Sequence, residues 1–286
     1  MISPRGLSVE RFGMEVKMEK NRNGKNVGER EKKRQDAGAE RRKDSASVLS
    51  IRGLSKTYRG GKRAVSGLNL EISAGDIYSF IGRNGAGKTT TLKAVSGILE
   101  FEEGEILIDG RSIREEPLWC KERMAYLPDN PDLYEYLTGI QYLNFIGDVY
   151  RVPGTLRTER IEELAERFGI TRSLGDLIST YSHGMKQKLA LISAFLHRPR
   201  LLLLDEPFVG LDPEAAVALR ESMHALCREG SAIFFSTHVL EVAQRLCNKV
   251  AIIREGRLVA QGETEALTGG KSLEEVFMEV ARDERI

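Results

Sequence analysis

The chain has little cysteine, proline or tryptophan: three Cys, eight Pro and one Trp in 286 residues. Cys120, Cys227 and Cys247 stand far apart without metal-ligand spacing, which excludes a disulfide scaffold and a zinc ribbon and fits a reducing compartment with buried or idle thiols. No long hydrophobic run is present either. The most apolar stretches, Leu201 to Leu204 and Leu189 to Leu196, fall short of the about 18 residues that a membrane-crossing helix needs. Charge of one sign is also lacking: 43 Lys and Arg face 42 Asp and Glu, a formal net charge of +1, so no overall field marks a nucleic-acid binder. No repeat with a period of about 20 to 50 residues is visible, which excludes a solenoid. What remains is 41% apolar and 30% charged, enough to bury a core.

Composition divides the chain near residue 46. The first 46 residues hold 13 Lys and Arg against 8 Asp and Glu and show no apolar periodicity, so they cannot offset their own ordering entropy. A disordered charged leader over residues 1–46 is expected, with no apolar stretch for a secretory signal and too many Glu for a transit peptide. This basic arm suits contact with anionic lipid or RNA, or it is a solvated tail without a role. From Val48 onward short β-rich runs (VLSIRG, LNLEIS, IYSFIG, EILIDG, MAYLP, LLLLDE, AIFFST, KVAIIREG, RLVAQG) alternate with amphipathic stretches at Lys88 to Ile98, Thr138 to Tyr150, Leu156 to Phe168, His183 to His197, Pro213 to Arg228 and Val239 to Cys247. That rhythm predicts an α/β fold with parallel strands at its centre. The runs LLLLDE and AIFFST read as strands buried on both faces. Tyr134 to Ser179 is almost all helical and reads as a helical insertion.

The segment Gly82-Arg83-Asn84-Gly85-Ala86-Gly87-Lys88-Thr89, followed by Thr90, satisfies G-x-x-x-x-G-K-[ST] and lies between a predicted strand and a predicted helix, as the mechanism of that motif requires. Its glycines let backbone N–H groups converge on phosphate oxygens. The helix start adds a positive end, and Lys88 reaches the outer phosphates. Thr89 is the expected hydroxyl ligand of Mg²⁺. The apolar strand Leu201 to Leu204 ends in Asp205 and Glu206. Asp205 is placed to hold Mg²⁺, and Glu206 to polarise an attacking water.

These two elements fit any P-loop NTPase, but the features between and after them resemble the ATPase subunits of ATP-binding cassette (ABC) transporters, over about Val48 to Val280. Tyr181-Ser182-His183-Gly184-Met185 resembles the family's signature segment, normally close to Leu-Ser-Gly-Gly-Gln, with Ser182 and Gly184 kept. A serine before a helix N-terminus suits an anion, so Ser182 and the turn from His183 form a second phosphate cradle. Two cradles in one small chain do not easily share a nucleotide, which suggests that Ser182 faces the nucleotide of a partner subunit. Val209 to Asp212 resembles the D-loop, Ser236-Thr237-His238 the switch histidine, and Ser55 to Tyr58 the A-loop, whose aromatic ring stacks on adenine. Tyr126-Leu127-Pro128-Asp129 aligns with the Q-loop, where Asp129 replaces the usual Gln. An ionised Asp accepts only, yet it still holds a metal-bound water, and the coupling role is carried to it.

The resemblance implies a P-loop NTPase core over residues 47–286, with a mostly parallel central sheet, an N-terminal antiparallel β part and a helical subdomain at about 134–190. It further implies ATP and Mg²⁺ as ligands, with Lys88, Glu206 and His238 as the catalytic set, and a second cassette, identical or not, as partner. A membrane permease on a separate chain is expected, with the ATPase peripheral on the cytoplasmic face of the cell membrane. The stretch Tyr126 to Gly139 and the C-terminal SLEEVFMEV look most like cassettes of drug, antibiotic or peptide efflux systems. The alternative is a soluble ABC-type ATPase acting on a nucleoprotein or assembly machine, although only 116 residues lie between Lys88 and Asp205, too few for a long coiled coil, and one cassette is present. No nucleic-acid partner is expected.

Overall fold

The computed structural model describes residues 47–282, so the leader expected over residues 1–46 lies outside the described residues. Strands β1 (Ser47–Thr57) and β2 (Arg63–Ser73) form an antiparallel pair, to which β4 (Glu103–Ile108) and the two-residue β5 (Arg111–Ser112) add in the order β2-β1-β4-β5. Both long strands exceed the runs read from sequence. The reason lies in register shifts on either side of Gly53, which break the period-2 pattern that would otherwise announce an 11-residue strand.

The second sheet carries β3 (Ile77–Ile81), β6 (Met124–Leu127), β7 (Leu201–Asp205), β8 (Ala232–Thr237), β9 (Lys249–Arg254) and β10 (Arg257–Glu263) in the order β10-β9-β3-β8-β7-β6. All pairings are parallel except the β9–β10 hairpin. Side chains alternate between two cores. Leu202, Leu204, Ile233 and Phe235 face one, while Leu201, Leu203, Ala232 and Phe234 face the other, and all eight are fully buried. Four consecutive leucines are thus needed because neither face of β7 meets water. Helices α1 (Lys88–Val95) and α2 (Pro117–Lys121) follow β3 and β5. The single turn α2 escapes a periodicity argument by its length.

Between β6 and β7 lie α3 (Gly139–Val149), α4 (Gly154–Arg167) and α5 (His183–Leu196). Thr138 opens α3 through a capping box with Gln141, each satisfying the other's backbone N–H. Tyr142, Leu143, Ile161, Ala165 and Leu189 join the same core as Leu202 and Phe235, so these helices and one face of the sheet share an interior. The chain continues through α6 (Pro213–Arg228), α7 (Leu240–Leu246), α8 (Thr264–Thr268) and α9 (Leu273–Arg282).

Register sets where the strand tips fall: Ile81 pairs with Thr237, and Asp205 with Ser236, so β3, β7 and β8 end together at their carboxyl edge. In open parallel sheets that edge is where ligands bind. At the other edge Asp76, 5% exposed, takes hydrogen bonds from the Ser73 N–H, Asn248 Nδ2 and Lys249 Nζ at 2.8–2.9 Å and ties β3 to β9.

His197, just beyond α5, stacks on Tyr150 at 3.6 Å between ring centroids and lies 3.3 Å from the Met124 carbonyl oxygen through Nε2. Burial lowers its pKa to about 4. The unfolded chain takes up this proton near pH 6.5 and the folded one only near 4, so stability is lost as pH falls through that window. The urea midpoint should drop between pH 7 and pH 5 in the wild type and drop less in His197→Phe; equal drops would remove His197 from the account.

Candidate functional site

The turn from β3 into α1 can close only with glycine at two points. A Cβ on Gly82 would lie 2.6 Å from the Ile253 carbonyl oxygen, and one on Gly87 2.5 Å from that of Ala64, with Gly87 held at φ +113°. Neither neighbour can give way, since both are backbone atoms of adjoining strands. Inside the loop the Ala86 N–H bonds the Arg83 carbonyl at 3.1 Å, and Gly256 N–H bonds the Ala86 carbonyl at 2.9 Å, which seats the loop on the β9–β10 hairpin. Lys88, only 6% exposed, folds back to donate to the Gly82 carbonyl at 2.7 Å, and its ammonium lies 3.6 Å from Glu206 Oε1.

Across the sheet edge, Ser236 organises both acidic residues. Its hydroxyl donates to Asp205 Oδ1 and accepts the Glu206 N–H at 3.1 Å, while its carbonyl accepts the same N–H at 3.2 Å. Asp205 is buried at 3% exposure. Glu206 stands at φ +50°, a left-handed conformation that strains a residue with a side chain and turns the chain sharply at the tip of β7. Its carboxylate then meets His238, whose Nδ1 is 3.0 Å from Oε2 and whose backbone N–H is 3.3 Å from it. Nearby, the Tyr126 hydroxyl is buried without a hydrogen-bond partner; burial, followed by the charges of Asp205 and Asp129, holds it in its protonated form well above the ordinary range.

A cavity of about 400 Å³ opens here, walled by Asn84, Gly85, Gly87, Lys88, Thr89 and Thr90 on the loop side, by Tyr58, Lys62 and Ala64 on the second, and by Asp129, Asp205 and Glu206 on the third. That volume lies within the range of small-molecule sites. Tyr58 is 40% exposed, its hydroxyl 3.2 Å from Thr90 Oγ1, and the Lys56 ammonium lies over its ring at 5.9 Å from the centroid. One buried carboxylate and the Thr89 and Thr90 hydroxyls supply hard oxygen donors, the set that holds Mg²⁺ jointly with substrate phosphates. Among the described residues no group of three or more His, Cys, Asp or Glu is placed to hold a metal alone.

Ser182, His183, Gly184 and Met185 do not line this cavity. Ser182 caps α5 through the Met185 N–H at 3.3 Å, and all four belong to the first turn or its cap. Two of them lie against the segment before α6, the His183 ring and Gly184 both beside Gly210; farther along α5, Lys188 Nζ meets Asp212 Oδ2 at 2.6 Å while Asp212 caps α6 through the Ala215 N–H at 2.8 Å. Lys188, then that N–H, hold the Asp212 carboxyl below the usual carboxylate range. Sequence reading passed over the tasks of Lys62, Ala64, Lys188 and Ser236. Only Ser236 left a signal, as a hydroxyl at the tip of a strand that otherwise buries both faces.

A family model described as ABC transporter matches residues 65–209. The chain belongs to the ABC transporter family. It is similar to the "Uncharacterized ABC transporter ATP-binding protein YhcH" of Bacillus subtilis (strain 168), 36% identical over 74% of this chain and 69% of that one. The "Linearmycin resistance ATP-binding protein LnrL" of the same organism is 32% identical over 75% and 69%. A solved ATP-binding subunit of an ABC transporter superposes with a TM-score of 0.79 at 34% identity, covering 82% of this chain and all of that one. The cassette is therefore an ATP-binding ABC ATPase with the α/β P-loop NTPase fold.

Because the hydroxyl of Ser236 is the donor to a buried carboxylate, Ser236→Ala should destabilise the ligand-free cassette by about 1 to 3 kcal/mol, read as a lower urea midpoint at unchanged slope. An unchanged midpoint would show that Asp205 is solvated in another way.

Proposed function

We propose that this cassette hydrolyses MgATP in a composite site built from two cassettes and so drives a separate membrane permease in export. The observation that carries the reading is the division of the phosphate-binding parts. The loop, Asp205, Glu206 and His238 form one cluster, whereas Ser182, an anion-suited cap on α5, lies outside the cavity and needs a nucleotide from elsewhere. A second cassette, whether a copy or a relative, supplies it. The packing of His183 on Gly210 and the Lys188–Asp212 ion pair join that cap to the chain leaving Glu206.

In this reading the loop amides and Lys88 balance phosphate charge, and Tyr58 stacks on the base with its ring fixed through Thr90. Thr89 and Asp205 would hold Mg²⁺, which when bound would supply positive charge against the phosphates. Glu206 accepts the proton of the attacking water, and His238 fixes that carboxylate and reports the outer phosphate. Asp129, exposed at the cavity wall, carries the coupling to the permease.

The permease reading draws on three observations. No helix among the described residues is long and apolar enough to cross a membrane. Tyr134 (45% exposed), Tyr136 (75%) and Phe145 (42%) form an exposed aromatic group beside the Asp129 segment, with ring centroids 5.6–5.9 Å apart from Tyr134. Large exposed aromatics in contact mark a protein-binding surface. The name of one relative refers to resistance to linearmycin, which favours export and a position on the inner face of the cell membrane.

Glu206→Gln keeps the size of the side chain and removes its charge, so hydrolysis should fall by about 10² to 10⁴ while MgATP binding persists. With turnover blocked, the protein should accumulate as an ATP-dependent dimer on gel filtration. Wild-type turnover would remove Glu206 from catalysis. Mixing inactive Lys88→Ala with inactive Ser182→Arg chains should restore part of the activity through one intact composite site; none recovered in demonstrated mixed dimers would refute the shared site. Copurification of a polytopic membrane protein, lost in Tyr136→Asp at unchanged basal ATPase, tests the permease. Ribosomes or nucleic acid in its place would overturn the transport reading.

A further inference from the structure

The segment between Asp129 and α3 meets the signature on both sides of its serine. Ahead of Ser182, the Ser179 N–H bonds the Glu135 carbonyl at 3.1 Å, the Ile178 N–H bonds the Leu137 carbonyl at 2.9 Å, and Thr138 forms an antiparallel bridge with Leu177. Beyond Ser182, Lys186 Nζ donates to Glu135 Oε1. Glu135 therefore holds this stretch at two points, before the cap with its backbone and after it with its carboxylate.

Tyr181 fixes the same junction by shape. It is 5% exposed, its hydroxyl donates to the Ser173 carbonyl, and any Cβ on Gly139 would overlap that hydroxyl. The tyrosine that stands where the signature normally has leucine is thus accommodated by glycine at the first residue of α3. The chain entering Ser182 lies against that helix start.

The Lys186–Glu135 pair differs from these contacts in being wet, with side chains 26% and 58% exposed. Such a pair adds little to stability, and what it supplies is geometry. With Lys188 bound to Asp212 at 2.6 Å, it braces the first two turns of α5 between the segment that carries Asp129 and the start of α6.

We infer that Glu135 is a positioning residue for the shared nucleotide site: through Lys186 its carboxylate sets the first turn of α5 and so the place that Ser182 takes on the nucleotide of the other cassette. This rests on the reading that Ser182 serves a partner's nucleotide. Glu135 does not line the nucleotide cavity of its own chain, so its carboxylate acts on the site of the other one. Tyr134 and Tyr136, exposed on either side of it in the chain, place this brace within the aromatic group.

The test uses the mixed dimer of Lys88→Ala and Ser182→Arg chains, whose one intact site takes its phosphate loop from the Ser182→Arg chain and its serine from the Lys88→Ala chain. Glu135→Ala is added to one chain or to the other. In the Lys88→Ala chain it should lower the recovered ATPase about 3- to 10-fold, and in the Ser182→Arg chain it should leave that activity unchanged. Glu135→Gln, which keeps the size and removes the charge, should show the same split at smaller amplitude. General loss of structure acts from either chain, so the difference between the two placements separates positioning from folding. Equal losses from both placements, or no loss from either, would overturn the inference. No recovered activity before Glu135 is changed would refute the shared site itself, and the inference with it.

Discussion

A strand of four buried leucines can end in a carboxylate only where the sheet reaches its edge and a neighbouring strand offers a donor. The parallel register of β7 with β8 sets Ser236 opposite Asp205, and the serine hydroxyl bonds that carboxylate while its carbonyl and hydroxyl oxygens take the N–H of Glu206. This contact aligns one carboxylate with the sheet and throws the next into the left-handed turn that points it toward His238 and Lys88. A shift of one residue in the β7–β8 register would reverse both leucine faces and take the acids from their partners. The apolar core and the charged cluster therefore depend on the same pairing.

The signature helix connects to that cluster through packing, without sharing its cavity. Ser182 and Lys188 sit at opposite ends of two turns of α5, and the lysine binds Asp212, the cap of α6, six residues beyond Glu206. Proline at the first position of α6 fixes the backbone there, so Asp212 is held from both sides. The first two turns of α5 are therefore tied to the start of α6 by the Lys188–Asp212 ion pair and by the His183 ring beside Gly210.

Much of this was legible in the residues. The helix Pro213–Arg228 follows from its Asp-Pro start and apolar period, and the central strands from uninterrupted apolar runs bounded by Gly and acids. The phosphate loop was legible because its chemistry demands a fixed spacing. What escaped depends on contacts between distant segments. Register shifts hide the length of β1 and β2, and α2 is too short to show a period. Ser236, Lys62 and Lys188 have common residue types, and only the sheet order and the packing of α5 on the segment before α6 give them tasks.

Burial of charge alone does not separate the working edge of the sheet from the structural one. Asp76 is nearly as buried as Asp205, yet it receives three donors, from Ser73, Asn248 and Lys249, so most of its acceptor capacity is used within the fold. Asp205 receives one side-chain donor, from Ser236, and its carboxylate lines the cavity. A carboxylate offers about four acceptor positions, so Asp76 holds strands together whereas Asp205 retains oxygen lone pairs for a ligand. The same accounting applies to cations. Lys249 is committed to Asp76, while Lys88 bonds a neutral carbonyl at 2.7 Å and stands 3.6 Å from Glu206, a contact loose enough for phosphate oxygens to displace. Unspent hydrogen-bonding capacity at the carboxyl ends of parallel strands, more than burial or charge, is what makes this edge of the cassette the reactive one.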